Sequence, residues 1–282
     1  MGGLPDRLQL YGQALADWLA PLAPLRLVVH MPGNIGDHLI WRGCCDLFDR
    51  HHIPAERIDH RQVLESPQGE ATLVIPGSGA LTRLWHEWLP ELILSAAQRY
   101  RRVVVLPSDY DVEVPVVAEA LARPNVWALA RQPLSYAAIR RFGRAALMPD
   151  PALWCRTLQD AAPPSGSSEG PLLLALRTDQ GSFLRDLPYE IASGRNCDLS
   201  TLSPDLDSFL AAIAAAGHVV TDRLHIAVSA VLLGRTLSWI DPYDRKISAY
   251  LPFAFEERER RRCAPIGVAE LLERGWLQPR RG

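Results

Sequence analysis

Short apolar runs of strand length, bounded by Gly, Pro or Asp, recur along the first half of the chain: Leu25–Met31, Thr72–Pro76, Arg102–Pro107, Val126–Ala130 and Ala145–Met148. Most are separated by stretches with the 3.6-residue apolar period of a helix. That rhythm predicts a parallel sheet covered by helices on both faces. Ahead of the first run, Asp6–Leu19 places Leu8, Leu15, Trp18 and Leu19 at helical spacing. Its polar face lacks the basic excess of a membrane-surface helix, so it is expected to dock on the first lobe. The alternation resumes after the Pro/Gly/Ser-rich stretch within Ala161–Gly170, with strands at Pro171–Leu176, His218–Thr221 and Thr236–Ile240 and helices at Pro204–Ala216 and Arg223–Leu233. The expected fold class is α/β: two doubly wound, Rossmann-like lobes with a cleft between them at the carboxyl ends of the strands. The N-terminal lobe is assigned to 1–160, a linker to 161–170, and the C-terminal lobe to 171–282, ending in a helical tail. The chain contains no internal sequence repeat.

Length agrees with two lobes, since 282 residues that are 48% hydrophobic and 22% charged exceed what one core usually holds. Charge narrows the partners: 30 basic residues against 32 acidic ones leave a net −2, without the overall basic field that attracts nucleic acid, so an anionic ligand needs a local cluster. The five cysteines (Cys44, Cys45, Cys155, Cys197, Cys263) form no C-x-x-C pair and suggest neither a zinc site nor a disulfide framework. His51, His52 and His60 come without an H-E-x-x-H helix, and no metal is expected. The first residues show no apolar targeting segment, and the longest uncharged run, Ser208 to Thr221, is shorter than the roughly 20 residues that span a bilayer. A cytoplasmic protein is expected, with at most peripheral contact at the inner face of the membrane.

Candidate chemistry gathers where predicted strands run into helices. In Val219-Val220-Thr221-Asp222-Arg223-Leu224-His225 a buried strand enters an apolar helix, and Thr221 or Asp222 is placed to cap it. Arg223 beside the exposed N–H groups of a helix start suits phosphate or carboxylate; the alternative is that Arg223 pairs with an acid and His225 is a satisfied buried histidine. Pro32-Gly33-Asn34-Ile35-Gly36-Asp37-His38 is a second strand-to-helix turn, where glycines permit close backbone approach and Asp37 either caps the helix or meets a sugar hydroxyl; it serves a ligand or only the fold. Gly77-Ser78-Gly79 precedes a predicted helix carrying His86, and forms either a ligand edge or a tight turn. Arg131 and Ser135 follow a strand end, with Arg131 either facing the same crevice or on the surface. Lys246 reaches the crevice or is solvated. The chain has neither a G-x-S-x-G elbow nor a G-x-x-x-x-G-K-[ST] loop, so serine-hydrolase and P-loop chemistry lose their support.

In order along the chain, GNIGD at Gly33–Asp37, PGSGAL at Pro76–Leu81, ARQPLS at Ala130–Ser135, MPDPAL at Met148–Leu153, TDRLH at Thr221–His225 and YDRK at Tyr243–Lys246 resemble the polysaccharide pyruvyl transferase family. The resemblance covers about Val28 to Tyr250, with the D-R-x-H element and the following D-x-K carrying most weight. It implies a two-lobed GT-B-like fold, phosphoenolpyruvate as donor, no further cofactor, and a cyclic pyruvate ketal formed on a sugar of a bacterial exopolysaccharide or cell-wall glycan. It carries Arg223, Leu224 and His225 onto the family's donor-binding element, and Arg131 onto the arginine of its R-x-x-x-S piece. Two departures concern the acceptor: Pro76-Gly77-Ser78-Gly79 replaces a run of glycines, and Ser108-Asp109 replaces a Gln-Ser pair.

Phosphoenolpyruvate has two anionic ends and calls for two cationic devices, which Arg131 and the Arg223 helix start would supply. Histidine ordinarily titrates near neutrality, which makes His225 the leading general acid/base, with His86 or His38 as its partner. Gly36, Asp37, His38, Ser78, Gly79, Ser135 and Lys246 complete the expected substrate-binding set. The acceptor is expected to be a sugar on a lipid-linked oligosaccharide. A nucleotide-sugar glycosyltransferase of the same fold, and a non-catalytic sugar- or anion-binding protein, are the competing readings. The segment Thr178–Ser200 fits no motif and is a candidate acceptor loop.

Overall fold

A computed structural model of the chain describes residues 3–65, 68–161, 169–192, 194–241 and 245–280. The chain divides into two compact units, Met1–Gly33 with Asp37–Arg156, and Asn34–Gly36 with Thr157–Gly282. Positions 162–168 of the expected linker lie outside the described residues, as do Pro242 and, from the YDRK element, Tyr243 and Asp244.

The first unit runs α1 (Leu4–Leu19), β1 (Leu25–His30), α2 (Ile35–Arg50), β2 (Glu56–Asp59), α3 (His60–Glu65), β3 (Gly69–Ile75), α4 (Leu89–Arg99), β4 (Tyr100–Ser108), α5 (Pro115–Ala122), β5 (Val126–Ala130), α6 (Pro133–Ile139) and β6 (Ala145–Leu147). Prolines set several helix starts: Pro5, Pro90, Pro115 and Pro133 each sit in a first turn, where a missing N–H costs nothing. The strands form one parallel sheet in the order β2-β1-β3-β4-β5-β6. Leu27, Val28, Leu73–Ile75 and Val103–Val105 are fully buried in its centre, as continuous apolar runs must be when helices cover both faces. The strand order reverses between β1 and β3, so the loops after these two strands leave the sheet in opposite directions and open a crevice at their carboxyl ends.

The second unit runs α7 (Arg156–Asp160), β7 (Leu172–Ala175), β8 (Tyr189–Ile191), α8 (Leu199–Leu202), α9 (Leu206–Ala215), β9 (His218–Thr221), α10 (Leu224–Leu232), β10 (Thr236–Trp239), α11 (Lys246–Ala254), β11 (Cys263–Pro265), α12 (Val268–Glu273) and β12 (Leu277–Pro279). Its parallel sheet has the order β11-β10-β9-β7, and β8 pairs antiparallel with β12. Every residue of α10 from Leu224 to Val231 is buried, as an apolar helix between layers requires. The tail expected to be helical also supplies two strands, because Cys263–Pro265 finds an edge beside β10 and Leu277–Pro279 pairs with β8. Among the described residues, no helix is long and apolar enough to cross a membrane. The molecule is a mixed α/β protein of Rossmann-like, GT-B-like type.

Candidate functional site

In the first unit, the loops at the carboxyl ends of β3, β4 and β5 are knitted by buried polar groups. The Ser78 amide donates to the Ser108 hydroxyl at 3.0 Å, and the Asp109 amide donates to the Ser78 carbonyl at 3.2 Å. The Ser135 hydroxyl accepts from the Tyr110 amide at 3.1 Å and from the Gln132 side chain at 2.8 Å. At the centre Arg131, 2% exposed, donates to Asp150 at 2.8 Å and to Asp109. Burial alone would lower its pKa, but the charges of Asp109 and Asp150 outweigh it and keep the guanidinium charged. Only its Nε–H lacks a partner among the described residues. Gly79 passes close by, and a Cβ there would stand 3.6 Å from Arg131 Nη2.

In the second unit, the carboxyl ends of β7 and β9 meet beside residue 196, whose backbone bridges Leu174 and whose side chain pairs with both the amide and the carbonyl of Leu176. Arg223 closes β9 and holds Asp198 in a two-pronged pair at 2.6 Å and 2.6 Å, while its Nη2 also donates to Asp179 at 2.8 Å. Burial would lower its pKa, but Asp198 and then Asp179 raise it. Arg177 holds the other side of Asp179, with Nε donating at 3.0 Å. For Asp179 burial pushes upward, and Arg177 followed by Arg223 outweighs it to bring the carboxyl down to about 2. Asp222 is fully buried; its Oδ1 accepts from the Arg177 amide at 2.8 Å and its Oδ2 has no partner among the described residues. Burial raises its carboxyl to about 6, only partly offset by the Arg177 amide and the charges of Arg177, Arg223 and Lys246. The Thr221 hydroxyl donates to the Ala175 carbonyl at 2.8 Å and accepts from the Arg223 amide at 3.0 Å, so it ties β9 to β7. Neither Thr221 nor Asp222 caps α10: Arg223 occupies the N-cap position and no side chain caps there. His225 lies in the first turn, 9% exposed, and Gly36 packs on it so closely that a Cβ would stand 3.3 Å from its Nδ1.

A polysaccharide pyruvyl transferase family model matches residues 34–242. The chain belongs to the polysaccharide pyruvyl transferase family. Among solved structures, a functionally uncharacterised protein from Klebsiella pneumoniae subsp. pneumoniae NTUH-K2044 has the same fold, with a TM-score of 0.72 and 19% identity over 93% of this chain and 99% of that one. No curated protein sequence matches this chain significantly.

In this family member, Arg223, Leu224 and His225 all come from the β9–α10 turn, and the field of Lys246, the first residue of α11, reaches Asp222. Asn34, not Asp37, caps the start of α2, its Oδ1 accepting from the Gly36 amide at 2.9 Å. Asp37 folds back over Gly33, where a Cβ would stand 2.7 Å from its Oδ2. His38 is half-buried against Trp41, with ring centroids 4.6 Å apart. Burial lowers its pKa, Asp37 opposes this, and His30 adds to it. His86 is not on a helix as expected, because Pro90 delays the start of α4 to Leu89 and leaves 79–88 irregular. Ser78, Gly79, Arg131 and Ser135 belong to the buried network of the first unit.

The carboxylates that surround both arginines carry no sequence signal of their own as partners. Asp109 and Asp150 stand within motifs, and Asp179 and Asp198 lie in the segment Thr178–Ser200. Arg223 and Asp198 are 25 positions apart, so no local spacing signals their pairing. That segment does carry a structural signal in retrospect: an Asn followed two positions later by an Asp, both directed at the end of β7, where the Thr178 amide donates to Asp198 at 3.0 Å.

Proposed function

We propose that this family member transfers the pyruvyl unit of phosphoenolpyruvate to a pair of sugar hydroxyls on a lipid-linked bacterial glycan precursor, closing a cyclic ketal, with the donor held at the entrance of α10. The observation that carries this reading is the joint placement of Arg223, Leu224 and His225 at a helix start with no side-chain cap, with the backbone of Gly36 against the imidazole. A helix start of this kind favours an anion through its N–H groups and its dipole. Arg223 is already paired, which decides how it can serve: Asp198 is 1% exposed and keeps its two hydrogen bonds, whereas Asp179, 25% exposed, is the partner that a donor carboxylate replaces. One carboxylate is exchanged for another, so no buried charge is stranded.

In this proposal His225 protonates the methylene carbon of the donor, which makes C2 electrophilic. A sugar hydroxyl attacks C2 and gives up its proton, the C2–O bond breaks, phosphate departs, and the second hydroxyl closes the ketal with loss of its own proton. The net products are the ketal and inorganic phosphate. His86 is the proposed second acid/base, Asp37 and His38 meet the acceptor, and Gly36 and Lys246 line the donor. Ser78, Gly79 and Ser135 shape the loops after β3, β4 and β5, where Arg131 ties Asp109 after β4 to Asp150 after β6. The test is incubation with phosphoenolpyruvate and lipid-linked oligosaccharides, beside a parallel panel of nucleotide sugars, read by mass spectrometry. A pyruvyl adduct with release of phosphate is expected; a glycosyl adduct from a nucleotide sugar, with none from phosphoenolpyruvate, overturns the reading.

A further inference from the structure

At the carboxyl ends of β1, β2 and β3 stands a row of aromatic rings that the proposed donor chemistry does not use. His30 ends β1, His60 follows the end of β2, and Trp88 stands in the loop from β3 to α4. His38 and Trp41 rise from the first turns of α2. Neighbouring centroids lie 4.6 Å (His38–Trp41), 5.7 Å (Trp41–His30), 6.3 Å (His30–His60) and 6.4 Å (His60–Trp88) apart. His30 is exposed, and His38, His60 and Trp88 are half-buried, so the row is no interior cluster. Trp41 is only 5% exposed, yet its indole N–H has no partner among the described residues. A buried donor left unpaired is costly and points to an absent acceptor. Two carboxylates flank the row: Asp37, and Asp59, whose Oδ1 stands 3.2 Å from His60 Nδ1. The Gly33 backbone packs on Trp41, where a Cβ would stand 3.0 Å from the indole.

We infer that this row is the binding strip for the acceptor glycan, and that it takes pyranose rings by their C–H faces. The inference rests on the sugar-acceptor part of the proposed function. A pyranose has one face of C–H bonds, which packs against the electron-rich face of an aromatic ring, and a rim of hydroxyls, which needs donors and acceptors beside it. The strip offers both, with imidazole nitrogens and two carboxylates at the edges of its rings. Planar ligands fit it less well. Successive rings are inclined at 31°, 71°, 47° and 60°, so no two of them form the parallel slot that sandwiches a nucleobase, whereas a puckered sugar can meet tilted faces in turn. Its place at the reversal of strand order is where open α/β sheets receive ligands.

The test follows the indole N–H resonances of the full chain labelled with ¹⁵N-tryptophan, with cellobiose and lactose as probes and with sorbitol and UDP as controls. Saturable shifts are expected for the resonances assigned to Trp41 and Trp88 through Trp41→Phe and Trp88→Phe, with sorbitol silent. Trp88→Ala and His30→Ala should each weaken disaccharide binding by about fivefold or more, while Trp88→Phe keeps it within about twofold of the parent. His30 is exposed, so its variant keeps the test valid if Trp88→Ala fails to fold. Absence of saturable shifts, shifts confined to other tryptophans, the same resonances moving with UDP, or unchanged affinity in folded His30→Ala overturns the strip. Transfer of pyruvyl from labelled phosphoenolpyruvate is measured separately. Disaccharide binding without transfer leaves the strip and removes the donor reading; transfer with affinity unaltered by strip changes does the reverse.

Discussion

Arg131 holds two buried carboxylates and Arg223 one, beside the part-exposed Asp179, so truncating either arginine strands buried charge. Arg131→Met should cost about 3–5 kcal/mol, seen as a lower urea midpoint with little change of slope, and adding Asp150→Asn should recover part of the loss. In the proposed donor site Asp179 plays a different part, because it would compete with the donor carboxylate for Arg223 Nη2. Asp179→Asn should therefore tighten phosphoenolpyruvate binding by roughly tenfold in a calorimetric titration; weaker binding would mean that Asp179 helps to assemble the site. Asp222 makes stability depend on pH. Its folded pKa of about 6 lies above the unfolded value, so the folded chain keeps the proton between those two values. The stability held by the neutral carboxyl is present at the acid end and lost as pH rises through about 6. Asp222→Asn escapes that loss and should gain on the parent by about 2–3 kcal/mol between about pH 4 and pH 8. Melting curves that stay parallel across the range would contradict this placement of the proton.

Helix α2 shows at the scale of an element how a local sequence shapes the proposed site. Asn34 caps the helix, and Gly36 then leaves room for His225. Gly36→Ala would put a Cβ 3.0 Å from Asn34 Oδ1 and 3.3 Å from His225 Nδ1, so the cap or the imidazole must shift by a few tenths of an ångström. Turnover should fall by about tenfold or more while the melting temperature changes little, since misplacing a reacting group costs more in rate than in stability. A large loss of stability with parental turnover per folded molecule would sever Gly36 from the chemistry. Elements with a strong period were legible in the sequence: β1, β3, β4, β5, β9 and α10 lie where continuous apolar runs place them. The short edges were not. Glu56–Asp59 exposes its first two residues and becomes β2 only by lying beside β1. The three-residue strands β8, β11 and β12 carry no period at all, and α11 was hidden by Pro252 within it.

For the whole molecule, membership of the polysaccharide pyruvyl transferase family was readable because the motifs at Gly33–Asp37, Pro76–Leu81, Ala130–Ser135, Met148–Leu153 and Thr221–His225 lie at or just past strand ends, where one short stretch carries both the turn and the family pattern. The ion-pair partners Asp109, Asp150, Asp179 and Asp198 were not readable as partners, because their pairing is made by tertiary structure across 19 to 44 positions. The aromatic strip shares that origin, with five rings drawn from separate stretches between His30 and Trp88. The most direct test of the account is single-turnover transfer from phosphoenolpyruvate labelled in its pyruvyl carbons to a glycan acceptor, compared between the parent and His225→Gln at saturating donor. Label in the glycan is expected with one phosphate released per transfer, and a rate lower by about 10²–10⁴-fold in the folded variant, with donor affinity close to parental. Parental transfer by folded His225→Gln, or labelled glycan without phosphate release, would contradict it.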